Sequence, residues 1–95
     1  MKAADPTSAG GQNPPGAITF PWCSTLIDRF VDVAEPAIAA ALLGCLEHQH
    51  LLVEGAAAVA LAALLQDEAV RGRRAAVIVC GGNVPFATLR ALLAR

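Results

Sequence analysis

Two stretches of this sequence ask for more neighbours than a chain of its length supplies. From Ala56 to Leu65 the residues read AAAVALAALL, apolar around the full circumference of a helix, and such a helix is stable only when it is covered on every side. From Ala75 to Val79 they read AAVIV, an unbroken apolar run of the kind that parallel sheets cover on both faces. The chain has 95 residues, of which 56% are apolar and only 4% aromatic, so it holds few large side chains with which to build those covers. The sequence therefore reads as one piece of a larger α/β protein, or as the obligate partner of one.

The remaining segments fit that reading. Pro6, Gly10, Gly11, Pro14 and Pro15 break any regular element in residues 1–15, which predicts a flexible arm ahead of a single folded portion over 16–95. Thr19 can cap a helix that tolerates Pro21 in its first turn, with Phe20, Cys23, Ile27 and Phe30 at helical spacing and an end near Arg29. Phe30 to Val33 alternates like a short strand. Glu35-Pro36 starts a second helix, with Ile38, Leu42 and Cys45 or Leu46 on its apolar face. At its exit, His48 and His50 are placed to cap free carbonyls. A charged connection containing Gly72 leads to the strand at Ala75–Val79, and Gly81-Gly82-Asn83 turns the chain into a last helix from Val84 to Arg95. The expected fold is thus α/β: a partial open parallel sheet with about four helices, whose one or two strands fall short of the roughly three that a stable sheet needs.

Charge and patterning exclude several function classes. Seven basic residues stand against eight acidic ones for a net charge of −1, which leaves no electrostatic footprint for nucleic acid; Arg71, Arg73 and Arg74 read as a solvated turn. Met1 to Gly16 contains no hydrophobic export segment, and Gly55–Leu65 is too short to span a bilayer. Three cysteines at wide spacing read as reduced thiols, and the expected compartment is the cytoplasm.

Chemistry concentrates where the apolar run Val77-Ile78-Val79 stops at Cys80-Gly81-Gly82-Asn83. Ligands of open parallel sheets sit beyond the carboxyl ends of the strands, where glycines let backbone approach them closely. A thiol at such a point can hydrogen-bond weakly and carries no obligatory charge. Cys80 can equally be a small hydrophobe ahead of a glycine turn.

Three motifs in order, Gly16-Ala-Ile-Thr-Phe-Pro, then Leu51-Leu-Val-Glu-Gly-Ala-Ala-Ala-Val-Ala-Leu-Ala-Ala-Leu, then Val77-Ile-Val-Cys-Gly-Gly-Asn, resemble the C-terminal part of serine/threonine dehydratases. These are pyridoxal-phosphate ammonia-lyases of the tryptophan synthase β-subunit fold, also called fold type II. The resemblance runs from about Ser8 to the end of the chain. It implies pyridoxal phosphate as cofactor, with Cys80 at the pyridine nitrogen, Glu54 close to the ring, and Gly81, Gly82 and Asn83 forming the loop beside it. It further implies a truncated or partial dehydratase, whose parent family converts L-serine or L-threonine to a 2-oxo acid and ammonia by β-elimination. A neutral thiol at the ring nitrogen leaves the ring a weaker electron sink than a carboxylate would, which suits that elimination.

The Schiff-base lysine and the glycine-rich phosphate loop of the family have no counterpart here. Lys2 stands in the arm in a different context, and Gly10-Gly11 is too short for the loop. No catalytic residue is therefore assigned. The implied partner is the missing N-terminal half or a homologous dehydratase subunit. Two other readings remain: a non-catalytic interaction protein packing its apolar helices on a partner, and a metal site built from Cys45, His48, His50 and Cys23, whose spacing fits no common zinc pattern. Trp22 reads as helix packing, and Asp5 as a solvated residue of the arm.

Overall fold

The computed structural model describes residues 16–94. The arm expected over residues 1–15, with Lys2, Asp5 and the Gly10-Gly11 pair, lies outside the described residues, as does Arg95. Four α-helices follow one another: α1 (Thr19–Leu26), α2 (Glu35–Gly44), α3 (Gly55–Gln66) and α4 (Phe86–Leu93). A π-helical turn at Cys45–Gln49 extends α2, and a 3-10 turn at Glu68–Val70 follows α3.

Helix α2 starts where its sequence places it. Ala34 is the extended N-cap residue, Glu35 sets a negative charge at the positive end of the helix dipole, and Pro36 occupies the first turn, where its missing N–H leaves no bond unmade. Its exit differs from expectation. The chain leaves the π-turn through His50, which adopts a left-handed conformation at φ 56 and ψ 33. The Leu51 N–H then donates to the Cys45 carbonyl at 3.2 Å. Termination is thus achieved by the backbone of His50, and the side chain of His48 instead lies 3.7 Å from the Glu47 carboxylate.

The core is the contact of α2 with α3. Ile38, Ala41, Leu42 and Cys45 pack against Ala57, Ala58, Val59 and Ala62, and Val33 and Val53 seal the cluster from the segments that lead into the two helices. No polar or charged residue is buried among the described residues. Helix α3, apolar all round in sequence, buries one face only, and Leu65 remains 67% exposed.

Helix α1 buries nothing and ends at Leu26, short of the expected Arg29. Ser24 and Thr25 turn their hydroxyls back onto the carbonyls of Phe20 and Pro21 at 3.1 and 2.6 Å, a habit that weakens helices. Helix α4 begins at Phe86 and not at Val84, because Pro85 is extended at ψ 137 and serves as the N-cap residue.

Neither expected strand is formed among the described residues. Phe30 to Val33 carries only an isolated bridge at Asp32, and Ala75 to Val79 has no regular structure, with Ile78 80% exposed. The reason is physical: a strand is held by a continuous ladder of bonds to a neighbour, and the described residues supply none.

The segment ahead of α2 is instead tied to the end of α3. Arg29 pairs with Asp67, and the Gln66 side-chain amide donates to the Asp32 carbonyl at 2.7 Å. The Asp67 carboxyl is held below its ordinary range, first by the Ala69 N–H that it accepts and then by the Arg29 guanidinium. Among the described residues no helix is long and apolar enough to cross a membrane.

Large apolar side chains are left uncovered on every helix but α2: Trp22 and Leu26 on α1, Leu65 on α3, and Phe86 and Leu93 on α4. A surface of this kind associates in water. At micromolar concentration the purified chain is expected to sediment as species larger than its 9.7 kDa monomer; a monodisperse monomer would contradict this account of its surface.

Candidate functional site

The segment Leu51–Glu54 brings Glu54 to the N-terminus of α3, with Val53 anchored in the core beneath it. Glu54 is the N-cap residue, and its backbone carbonyl accepts from the N–H groups of Ala57 and Ala58 at 3.0 and 2.9 Å. Its side chain makes no capping bond. The carboxylate instead reaches the loop that follows Cys80, where Oε2 accepts the Asn83 N–H at 3.1 Å across 29 positions of sequence. In return the Glu54 N–H donates to the Gly81 carbonyl at 3.2 Å.

The two glycines are what this approach requires. Gly81 lies at φ +86, in the left-handed region, and a Cβ there would fall 2.5–2.8 Å from the carboxyl atoms of Glu54. At Gly82 a Cβ would fall 2.8 Å from the Leu52 carbonyl oxygen. The Val84 N–H closes on the Gly82 carbonyl at 2.9 Å and steers the chain into Pro85 and α4. Glu54, Gly81, Gly82 and Asn83, expected near one another, are therefore brought together. The groups pressed against the bare glycines are the Glu54 carboxylate and the Leu52 carbonyl.

Cys80 stands exposed immediately before this turn, whereas Cys45 is buried and Cys23 half-buried. With a carboxylate already on the Asn83 amide, an incoming phosphate or other anion would meet like charge at this loop. Cys23, Cys45, His48 and His50 do not assemble into a centre: no group of three or more His, Cys, Asp or Glu side chains among the described residues could hold a metal ion.

A separate groove of about 480 Å³ runs between α2 and α3, walled by Ala37, Ala41, Gly44, Leu61 and Leu65, and residues 80–83 do not line it. Leu52 is the one part of the site with no signature in sequence. It acts through its backbone carbonyl, which every residue type possesses.

The family of pyridoxal-phosphate dependent enzymes matches residues 2–81. The chain is similar to an L-threonine ammonia-lyase of Thermotoga maritima, at 40% identity over 83% of this chain and 20% of that protein. An L-threonine ammonia-lyase of Geobacter sulfurreducens is 40% identical over 85% of this chain and 20% of its own length. The catabolic L-threonine dehydratase of Escherichia coli K12 is 33% identical over 74% and 22%. This chain thus spans about a fifth of the length of the curated relatives it matches. No solved structure matches it.

Gly82→Ala is expected to destabilise the fold by about 1–3 kcal/mol, since its methyl group must displace the Leu52 carbonyl. A thermal midpoint lowered by about 4–8 °C for each kcal/mol would report it. An unchanged midpoint would show that the contact at Leu52 yields freely.

Proposed function

This chain belongs to the family of pyridoxal-phosphate dependent enzymes, and we propose that it forms the C-terminal wall of a dehydratase's cofactor site. Its partner is the remainder of such an enzyme, supplied as the N-terminal half or as a homologous subunit. The substrate class is a β-hydroxy amino acid, L-serine or L-threonine, of which the names of the relatives give L-threonine. The finer architecture belongs to the same proposal: an open parallel sheet in which Ala75–Val79 becomes a strand once neighbouring strands flank it. The exposure of that apolar run in the chain by itself supports this reading. Free Cys23, Cys45 and Cys80 support a reducing compartment, the cytoplasm.

The observation that carries the proposal is the clasp between Glu54 and the turn after Cys80. It presents an exposed thiol at a loop that already carries the Glu54 carboxylate. A thiol beside a carboxylate suits the ring-nitrogen edge of pyridoxal phosphate and does not suit its phosphate, so the residues present fit one side of the cofactor. When bound, the cofactor supplies an electron sink for the bond broken at the α-carbon. Cys80 would face the ring nitrogen as a weak hydrogen-bond partner without holding a proton there. Gly81, Gly82 and Asn83 would flank it, and Glu54 would hold them in place. The only lysine in the chain is Lys2, which falls outside the described residues, and no proton-transfer role is assigned to it.

Joined to the lysine-bearing part of a related dehydratase, Cys80→Ser is expected to keep 2-oxo acid release within about tenfold of the parent, roughly 1.4 kcal/mol in the barrier. Cys80→Ala should weaken retention of the cofactor, and Cys80→Asp should divert turnover toward transamination. The chain alone should release no 2-oxo acid from either amino acid. If serine abolishes activity as completely as alanine does, the thiol acts covalently and the role given to it is wrong.

A further inference from the structure

The carboxylate of Glu54 is engaged on two counts, and its backbone adds a third. Its oxygen accepts the Asn83 amide, its carboxyl group covers the face of Gly81 that any side chain would fill, and the Glu54 N–H is returned to the Gly81 carbonyl. None of this serves the helix it caps, because the capping of α3 runs through the Glu54 backbone carbonyl. A side chain free of capping duty and committed to a loop 29 positions away has one visible effect, which is to fix that loop.

We propose that Glu54 is a positioning residue: it latches the Cys80–Asn83 turn into its left-handed shape before any ligand arrives, and acts on the site through that turn without itself binding the ligand. A charge-assisted bond from a backbone N–H to a carboxylate is among the stronger contacts available to a surface loop. Glycine reaches the φ of Gly81 without strain but reaches many others as easily, so the turn has little hold of its own and takes one shape only when something outside it fixes it. Preorganisation of this kind removes the ordering cost that a flexible loop imposes at the moment of binding. It also explains why the glycine at 81 must be bare on the side facing Glu54.

The relevance of the latch to chemistry rests on the proposed function, but its existence is testable without a cofactor. Amide hydrogen exchange on the full chain reads it directly. Glu54→Ala leaves the capping carbonyl in place and should speed exchange at Asn83 by about tenfold or more, as expected for loss of one charge-assisted bond. Glu54→Gln keeps an acceptor oxygen of the same reach and should stay within about threefold of wild type. Gly81→Ala, which pushes the carboxylate away from the other side, should also speed exchange at Asn83. Amides inside the core, at Leu42 and Val59, should remain as protected as before in all three.

The proposal is overturned if Glu54→Ala leaves Asn83 within about twofold of wild type, or if glutamine rescues no better than alanine. It is equally overturned if the core amides open together with Asn83 in both the Glu54→Ala and the Gly81→Ala variants, since Glu54 would then support the whole fold and not the loop. Failure of the Cys80 substitution series with these exchange results intact would remove the cofactor reading and leave the latch standing.

Discussion

The described fold hangs on one contact, the packing of α2 against α3 through small side chains. Ala41 meets a partner face built from Ala57, Ala58 and Ala62, with Ile38, Leu42 and Val59 filling the gaps. Because Val53 is buried with that cluster, the residue after it is set at the head of α3. Only from there can the Glu54 side chain meet the turn after Cys80. The site is thus a consequence of the core, carried outward through a single anchored valine.

Much of this is legible in the residues. Glu35-Pro36 announces a helix start by charge and by ring geometry, and Ala56 to Leu65 announces a helix by composition, though one covered on a single face and not on every side; both helices begin within a residue of where the sequence places them. The meeting of Glu54 with Gly81, Gly82 and Asn83 is also expected, though from resemblance, because no local pattern links positions so far apart. What cannot be read depends on partners remote in sequence. The π-turn and the left-handed His50 leave no mark on hydrophobic periodicity. Ala75 to Val79 has every local property of a strand, yet local preference does not make a ladder. The Leu52 carbonyl behind Gly82 is invisible in a string of side chains.

The mismatch between apolar surface and length has a consistent explanation in the comparisons. Relatives about four times as long align along most of this chain. In a protein of that size, Leu65, Ile78 and Phe86 would have somewhere to go. Here they face water, and the fold around them is held by the α2–α3 interface and a few surface ties such as Arg29 with Asp67.

That shared interface contains no buried polar group among the described residues. A contact made of small apolar side chains has no directional bond to break when one helix slides along the other, and alanine offers only a shallow knob to resist the motion. Helix pairs of this type move by shear, in small steps that keep their surfaces touching. As Glu54 rides on α3, such a slide would carry the carboxylate, and the turn it grips, relative to α2. The residues that hold the fold together therefore also set where the Glu54 carboxylate and its turn lie against α2.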